Sequence, residues 1–170
     1  ASGFDAQMDL SKLDGSNGFR LVDTAYAGSG MPVSSAGDIN GDGFDDLIIG
    51  APNNFDDFYS GASFVVFGKA SGFNASLPLS TLDGSNGFRL NGVAGGDAAG
   101  QMVSRAGDIN KYGFDYLLIG APLSDVPGLD TGYSYVVFGK ASGFGATLEL
   151  SSLDGNNGFR LDGTLDSLTG

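Results

Sequence analysis

Short apolar runs separated by turn-forming residues dominate the chain. Two runs, at residues 46–50 and 62–67, are continuous, rich in β-branched and aromatic side chains, and end at Gly-Ala-Pro and Gly-Lys. Such runs are typical of strands buried on both faces of a sheet. We predict two further strands, at 31–39 and 88–90, and a longer connection with one helical turn over 70–82. No segment keeps a 3.6-residue period over ten or more positions, so the pattern predicts a mostly antiparallel, all-β chain.

The same pattern recurs along the chain at a spacing of about 70 residues. Two motifs occur three times each: Ala-Ser-Gly-Phe from positions 1, 70 and 141, and Leu-Asp-Gly-x-Asn-Gly-Phe-Arg-Leu from positions 13, 82 and 153. Four-stranded units repeated in this way predict β-propeller blades that pack face to face. A stack of β-sandwich domains is the alternative, although about 70 residues is short for a sandwich of about 100 residues.

The repeat also predicts how the chain is organised. Residues 1–30 form the leading fourth-strand region of a preceding blade, residues 31–100 form the first blade, and residues 101–170 form the second. A closed propeller needs at least about four blades, and two blades alone expose broad apolar faces. We therefore expect a partial propeller that is either completed by oligomerisation or is a fragment of a longer array.

The composition excludes several classes of chemistry. The chain has no Cys and no His, so disulfides, thiol nucleophiles, Cys/His zinc sites and His-based catalysis are excluded. Its 20 acidic residues against 8 basic ones give a net charge of −12. Such a chain repels phosphate backbones, so we do not expect nucleic acid as a partner. No stretch approaches the roughly 20 apolar residues of a membrane span, so we expect no membrane insertion.

One Asp-rich loop carries the strongest chemical signal. Asp38, Asn40, Asp42 and Asp46 stand at positions 1, 3, 5 and 9 of the loop, with Gly43 at position 6. Alternating oxygen side chains around a tight glycine turn follow the ligand pattern of a Ca²⁺ loop, in which the backbone oxygen of position 7, Phe44, adds a further ligand. An ordinary Asn-Gly or Asp-Gly hairpin turn is the alternative.

The second copy of this loop departs from the pattern. Tyr112 and Tyr116 replace the carboxylates at positions 5 and 9, and Lys111 replaces the glycine at position 4. Neutral phenols are poor Ca²⁺ ligands, so we expect this loop to bind no metal. Lys111 can replace the ion by pairing with Asp108 or Asp115, or it can be an ordinary solvated side chain. Asp14, Asp83 and Asp154 each open an Asp-Gly-x-Asn-Gly segment, which Asx-turn hydrogen bonding explains more simply than a second metal site.

Phe67-Gly68, the Asp38–Asp46 loop and Gly50-Ala51-Pro52 together resemble the FG-GAP repeat, the blade unit of integrin α-subunit β-propellers and of many bacterial secreted proteins. The resemblance extends over essentially the whole chain. It implies calcium held by Asp38, Asn40, Asp42, the Phe44 carbonyl and Asp46, in the hairpin between the first two strands of a blade. It also implies that this calcium site lies on the face of the propeller opposite the usual ligand-binding loops.

The function we expect is that of a non-catalytic, calcium-binding structural or interaction module of an extracellular or cell-surface protein. We expect it to associate with itself through its blade faces and to take a protein or glycan ligand. A glycan-binding or accessory propeller of a secreted hydrolase is one alternative. A carboxylate-pair glycosidase is another, but many of the Asp residues lie at repeated turn positions that need no catalytic explanation.

Overall fold

The computed structural model describes residues 7–23, 32–53, 59–70, 72–126, 129–141 and 143–163. The described part is all-β, and its only helical elements are the three short 3₁₀ turns Leu10–Lys12, Leu79–Thr81 and Leu150–Ser152. Its strands are β1 (Arg20–Val22), β2 (Val33–Gly37), β3 (Asp46–Ala51), β4 (Ala62–Val66), β5 (Ser76–Pro78), β6 (Gly87–Asn91), β7 (Met102–Gly107), β8 (Tyr116–Ala121), β9 (Asp125–Val126), β10 (Leu129–Asp130), β11 (Tyr133–Val137), β12 (Thr147–Glu149) and β13 (Gly158–Asp162).

Two sheets carry the repeat. In the first blade, β2, β3, β4 and β6 lie side by side and are antiparallel, and in the second blade β7, β8, β11 and β13 repeat that order. Both sheets therefore have the four-stranded form of a propeller blade, and the predicted all-β fold class is confirmed. The short strands β9 and β10 form a separate two-stranded hairpin.

The connection before the fourth strand has a role that the sequence pattern did not predict. In the first repeat this connection contains β5, which pairs in parallel with β1. In the second repeat it contains β12, which pairs in parallel with β6 of the first blade. Each connection thus adds a strand to the fourth strand of the preceding unit. The helical turn predicted over 70–82 follows β5 directly.

The main hydrophobic core lies between the two blades. Ile48, Val65 and Leu90 of the first blade are fully buried against residues of the second, including Leu117 and Ile119. Burying apolar side chains of this size stabilises a fold by roughly 1.5–3 kcal/mol each. A smaller core on the opposite face of the first blade packs against the β1–β5 pair.

Stacked aromatic rings join the connection of each repeat to the fourth strand of the preceding unit. Phe88 on β6 stacks on Phe144, with ring centroids 4.5 Å apart. Phe19, which precedes β1, stacks in the same way on Phe73, at 4.0 Å. The two junctions therefore repeat both the parallel strand pairing and the aromatic contact.

Gly50 of the Gly-Ala-Pro motif lies against the backbone of Gly100, the last residue of the first blade, whose N–H donates to the Gly120 carbonyl of the second blade at 2.9 Å. A Cβ atom added to Gly50 would overlap the carbonyl oxygen of Gly100 and the ring of Pro32. The Gly50 N–H also donates to the Pro32 carbonyl at 2.8 Å. This position therefore has no room for a side chain.

We predict that Gly50→Ala lowers the free energy of unfolding by about 1–3 kcal/mol, because the added methyl group forces two backbones apart. Chemical denaturation monitored by tyrosine fluorescence measures the change. Gly72→Ala is the matched control, since a Cβ atom there meets no atom within 4 Å. The control should change stability by no more than about 0.5 kcal/mol. Equal stability of the two variants would contradict this account of the blade contact.

Candidate metal centre

The predicted calcium loop connects β2 to β3 of the first blade. The pairing of these strands shifts register between Ser35 and Gly37, immediately before the loop. The Gly37 N–H donates to the Ser35 hydroxyl at 3.1 Å, which closes this irregular step. The bulge directs the chain out of the sheet at Asp38 and lets it return at Asp46.

The side chains at positions 1, 3 and 5 turn inward onto the loop backbone. Asp38 Oδ1 accepts the N–H groups of residues 41 and 42 at 2.7 and 3.0 Å, and its Oδ2 accepts that of residue 43 at 2.9 Å. Asn40 Oδ1 accepts the Asp42 N–H at 3.0 Å, and Asp42 Oδ1 accepts the Phe44 N–H at 2.9 Å. Three oxygen-bearing side chains are thus gathered around one short turn.

The fourth predicted ligand side chain is held from the other end of the loop. Asp46 is buried, and its two carboxylate oxygens accept the N–H groups of Ile39 at 3.0 Å and Gly68 at 2.7 Å. Burial raises the pKa of Asp46 to about 6, and the negative charges of Asp42 and Asp38 contribute to the increase. The loop therefore concentrates negative charge that the hydrogen bonds offset only in part.

The donor set suits a hard cation, although the acidic side chains do not form a closed cage. Within the described ranges, no three acidic side chains are arranged as a metal site. The loop nevertheless offers only oxygen ligands, which Ca²⁺ prefers, and carboxylate oxygens that already accept one N–H retain a second lone pair. Gly43 has a φ of 88°, the left-handed conformation that the turn at position 6 requires. The residues present thus fit Ca²⁺ in chemistry and in chain geometry.

The second loop keeps the turn but replaces the ligands. Asp108 accepts the N–H groups of Tyr112 at 3.1 Å and Gly113 at 2.9 Å, as Asp38 does in the first loop. The Tyr116 hydroxyl, in the position of Asp46, is hydrogen-bonded to the side-chain amide of Asn110. A neutral hydrogen bond between side chains thus replaces the buried carboxylate.

Lys111 does not take the place of an ion. Among the described residues it forms no ion pair with Asp108 or Asp115, and the guanidinium of Arg105 pairs with Asp115 instead, at 2.9 Å. The surrogate role considered for Lys111 is therefore wrong. Lys111 does retain a positive φ, 63°, which is close to the 74° of Gly41 at the equivalent position.

The Asp-Gly-x-Asn-Gly segments are Asx turns, as the simpler reading predicted. Asp14 Oδ1 accepts the Ser16 N–H at 2.8 Å and the Asn17 N–H at 3.1 Å. Asp83 and Asp154 accept the equivalent N–H of residue i+2 at 2.8 Å. The hydroxyl groups of Ser16 and Ser85, together with the backbone N–H groups, hold the pKa of Asp14 and Asp83 below its usual value, and the Asn156 N–H does the same for Asp154. The local turn geometry accounts for the recurrence of the Asp-Gly-x-Asn-Gly segment in all three copies.

Sequence reasoning missed one residue beside the loop, Asp115. Its carboxylate accepts the Asp38 N–H at 2.8 Å across the blade boundary and also pairs with Arg105. The sequence marks these two residues only weakly. Arg105 differs from its counterpart Ser35 in the first repeat, and Asp115 has the same residue type as its counterpart Asp45. Nothing in the sequence places either residue next to the first loop.

Comparison with known proteins supports a repeat protein of the propeller-blade class. The FG-GAP repeat family matches residues 33–66, which include β2, the loop, β3 and β4. Integrin alpha-PS5 of Drosophila melanogaster is 37% identical over 117 residues, 69% of this chain and 11% of that protein. Integrin alpha-6 of Homo sapiens is 29% identical over 167 residues, 92% of this chain and 13% of that protein. Integrin alpha-V of Gallus gallus is 33% identical over 114 residues, 67% of this chain and 10% of that protein.

The chain is therefore an FG-GAP repeat protein of the integrin type, and it spans about a tenth of the length of these relatives. Across the described ranges, no helix is long and apolar enough to span a membrane.

Proposed function

We propose that the chain is a non-catalytic, calcium-binding structural and interaction module of an extracellular or cell-surface protein. Calcium would rigidify the loop between β2 and β3, with Asp38, Asn40, Asp42, the Phe44 carbonyl and Asp46 as ligands. We also propose the division into a leading strand region (1–30), a first blade (31–100) and a second blade (101–170). The similarity to integrin α chains supports the interaction role.

The observation that carries this proposal is the gathering of three oxygen-bearing side chains, Asp38, Asn40 and Asp42, around one short turn. Burial is the main cause of the raised pKa of Asp46, and the nearby charges of Asp42 and Asp38 add to it. A divalent cation neutralises such repulsion and stabilises the folded state by linkage. The second loop lacks this donor set, because Tyr112 and Tyr116 stand where the first loop has Asp42 and Asp46.

The loop chemistry also indicates the compartment in which the protein functions. A loop with three Asp carboxylates and no bidentate Glu at position 12, which is Ile49, should bind Ca²⁺ with the 10⁻⁴–10⁻³ M dissociation constants of extracellular modules. Such a site is filled only where calcium is plentiful. This supports an extracellular or cell-surface location.

We predict that 10 mM calcium stabilises the wild-type chain by about 1.4–2.7 kcal/mol relative to EGTA, which corresponds to about 10 to 100 times the dissociation constant. Asp42→Ala should abolish this increment, because it removes a ligand oxygen and the Phe44 N–H partner. Denaturant unfolding with and without calcium measures it.

Asp108→Ala is the matched control for that experiment. Asp108 holds the same turn bonds in the second loop, so its loss tests the effect of breaking the turn alone. The control should keep the full calcium increment. Equal loss of the increment in both variants, or no increment in the wild type, would overturn the proposed site.

The outer face of the second blade supports self-association. Phe159 and Leu161 on β13 are 39% and 49% exposed, whereas Phe88 and Leu90, their counterparts on β6, are completely buried by the second blade. The counterpart face in this protein is thus covered by a blade of nearly the same sequence. We therefore propose that a second copy of the chain covers the outer face of the second blade.

We predict that the wild-type chain forms a concentration-dependent oligomer and that Leu161→Asp makes it monomeric, because a charge on this face opposes burial. Multi-angle light scattering in calcium and in EGTA measures the mass. Leu123→Asp is the control, because Leu123 is 48% exposed and its counterpart is the polar Asn53. A monomer at every concentration in the wild type, or dissociation by both variants, would contradict association through this face.

A further inference from the structure

The second blade holds the first residues of the candidate calcium loop through three hydrogen bonds. Asp115 Oδ2 accepts the Asp38 N–H at 2.8 Å, and the Asp115 N–H donates to the Asp38 carbonyl at 3.0 Å. The Lys140 N–H donates to the Ile39 carbonyl at 2.9 Å. The backbone on both sides of the first ligand is thus fixed by residues of the next repeat.

Asp115 is itself held in place. It is buried, and its other carboxylate oxygen, Oδ1, accepts from Nε of Arg105 at 2.9 Å. The neighbouring ring of Phe114 lies directly against Gly41, where an added Cβ atom would overlap it. The loop therefore contacts the second blade through a fixed carboxylate and an aromatic ring.

The equivalent contacts are missing at the second loop. Ile39 is fully buried at the blade boundary, whereas its counterpart Ile109 is 62% exposed. In the part of the chain that the structure describes, Asp108, Ile109 and Asn110 hydrogen-bond to residues of their own repeat. The contrast shows that the contacts come from the following repeat and are not a property of the loop alone.

We propose that Asp115 is a positioning residue for cation binding by the first loop. By fixing the Asp38 peptide, it sets the direction of the Asp38 carboxylate, whose oxygens organise residues 41–43. This inference rests on the proposed calcium function. It makes the cation site a joint property of two blades, and linkage requires that a cation bound there strengthens blade docking in return.

Calcium titration of the full chain by calorimetry tests the assignment. Asp115→Ala should weaken calcium binding about tenfold or more, as is usual when a residue that orients a ligand is lost. Asp115→Asn keeps an oxygen that accepts the Asp38 N–H, so it should weaken binding less. Asp108→Ala, which removes an exposed carboxylate of the second blade outside the first loop, should change the dissociation constant less than about twofold.

The outcomes separate this inference from the proposed function. A folded Asp115→Ala variant that binds calcium as tightly as the wild type overturns the positioning role and leaves the calcium site intact. That result, with lowered stability in EGTA, would give Asp115 a purely structural role. Absence of calcium binding in the wild type overturns the proposed function and this inference together.

Hydrogen exchange of the wild-type chain tests the reciprocal effect. If separation of the blades releases the cation, calcium at ten times its dissociation constant should slow exchange of the Asp115 and Lys140 amides by about tenfold. The Phe138 amide is the control, because it bonds to Asn157 within the second blade at 2.9 Å. Its exchange should not change. Equal slowing of all three amides would contradict a specific coupling between the cation and the blade boundary.

Discussion

Both faces of each four-stranded sheet are apolar, and this is the constraint on which the rest of the structure depends. A strand such as β3, with Ile48 turned to one side and Ile49 to the other, is stable only when both sides are covered. The second blade covers one face of the first blade, and the β1–β5 pair covers part of the other. Stability therefore comes from stacking neighbouring units, and each unit alone is incomplete.

The contact between units needs backbones as well as side chains. The glycine of the Gly-Ala-Pro motif lets β3 lie against Gly100, whose N–H donates to Gly120 of the second blade, and the parallel strand β12 extends the sheet of the first blade by one strand. Because the added strand belongs to the next repeat, the two blades share a sheet edge. Separating the blades would break main-chain hydrogen bonds together with the apolar contacts. The boundary is therefore held by directional bonds as well as by hydrophobic burial.

The sequence predicted β3 and β4 because continuous β-branched runs between glycine turns have few other structures, and it predicted β2 and β6 from shorter apolar segments of the same repeat. It did not predict β5 and β12, since Ser76–Pro78 and Thr147–Glu149 carry no apolar run and become strands only through pairing with a neighbour. The role of Asp38, Asn40, Asp42 and Asp46 as metal ligands stays a prediction, but a turn between β2 and β3 followed from the spacing of these side chains. The hydrogen bond from Gly68 to Asp46 did not, because it joins residues that only the folded sheet brings together.

The same limit applied to Asp115. Its chemistry is visible in the sequence as one acidic residue among many, and Arg105 is visible only as a difference between repeats. Their meaning depends on the stacking of blades, which places the carboxylate on the Asp38 N–H. Local patterns thus determine which loop is rich in ligands, and the neighbouring unit determines how firmly that loop is held.

In repeat arrays of this kind, local sequence and the neighbouring unit each affect the properties of a loop. If the first loop binds a cation as proposed, two loops of identical sequence would differ in cation affinity when only one of them contacts a following blade, since that contact fixes the Asp38 peptide beforehand. In this chain the loop that is backed keeps its carboxylates, and the loop with the exposed Ile109 has lost two of them. Ligand content and structural support therefore change together from the first repeat to the second. That is the arrangement expected if a cation stabilises the boundary between units more than it stabilises either unit alone.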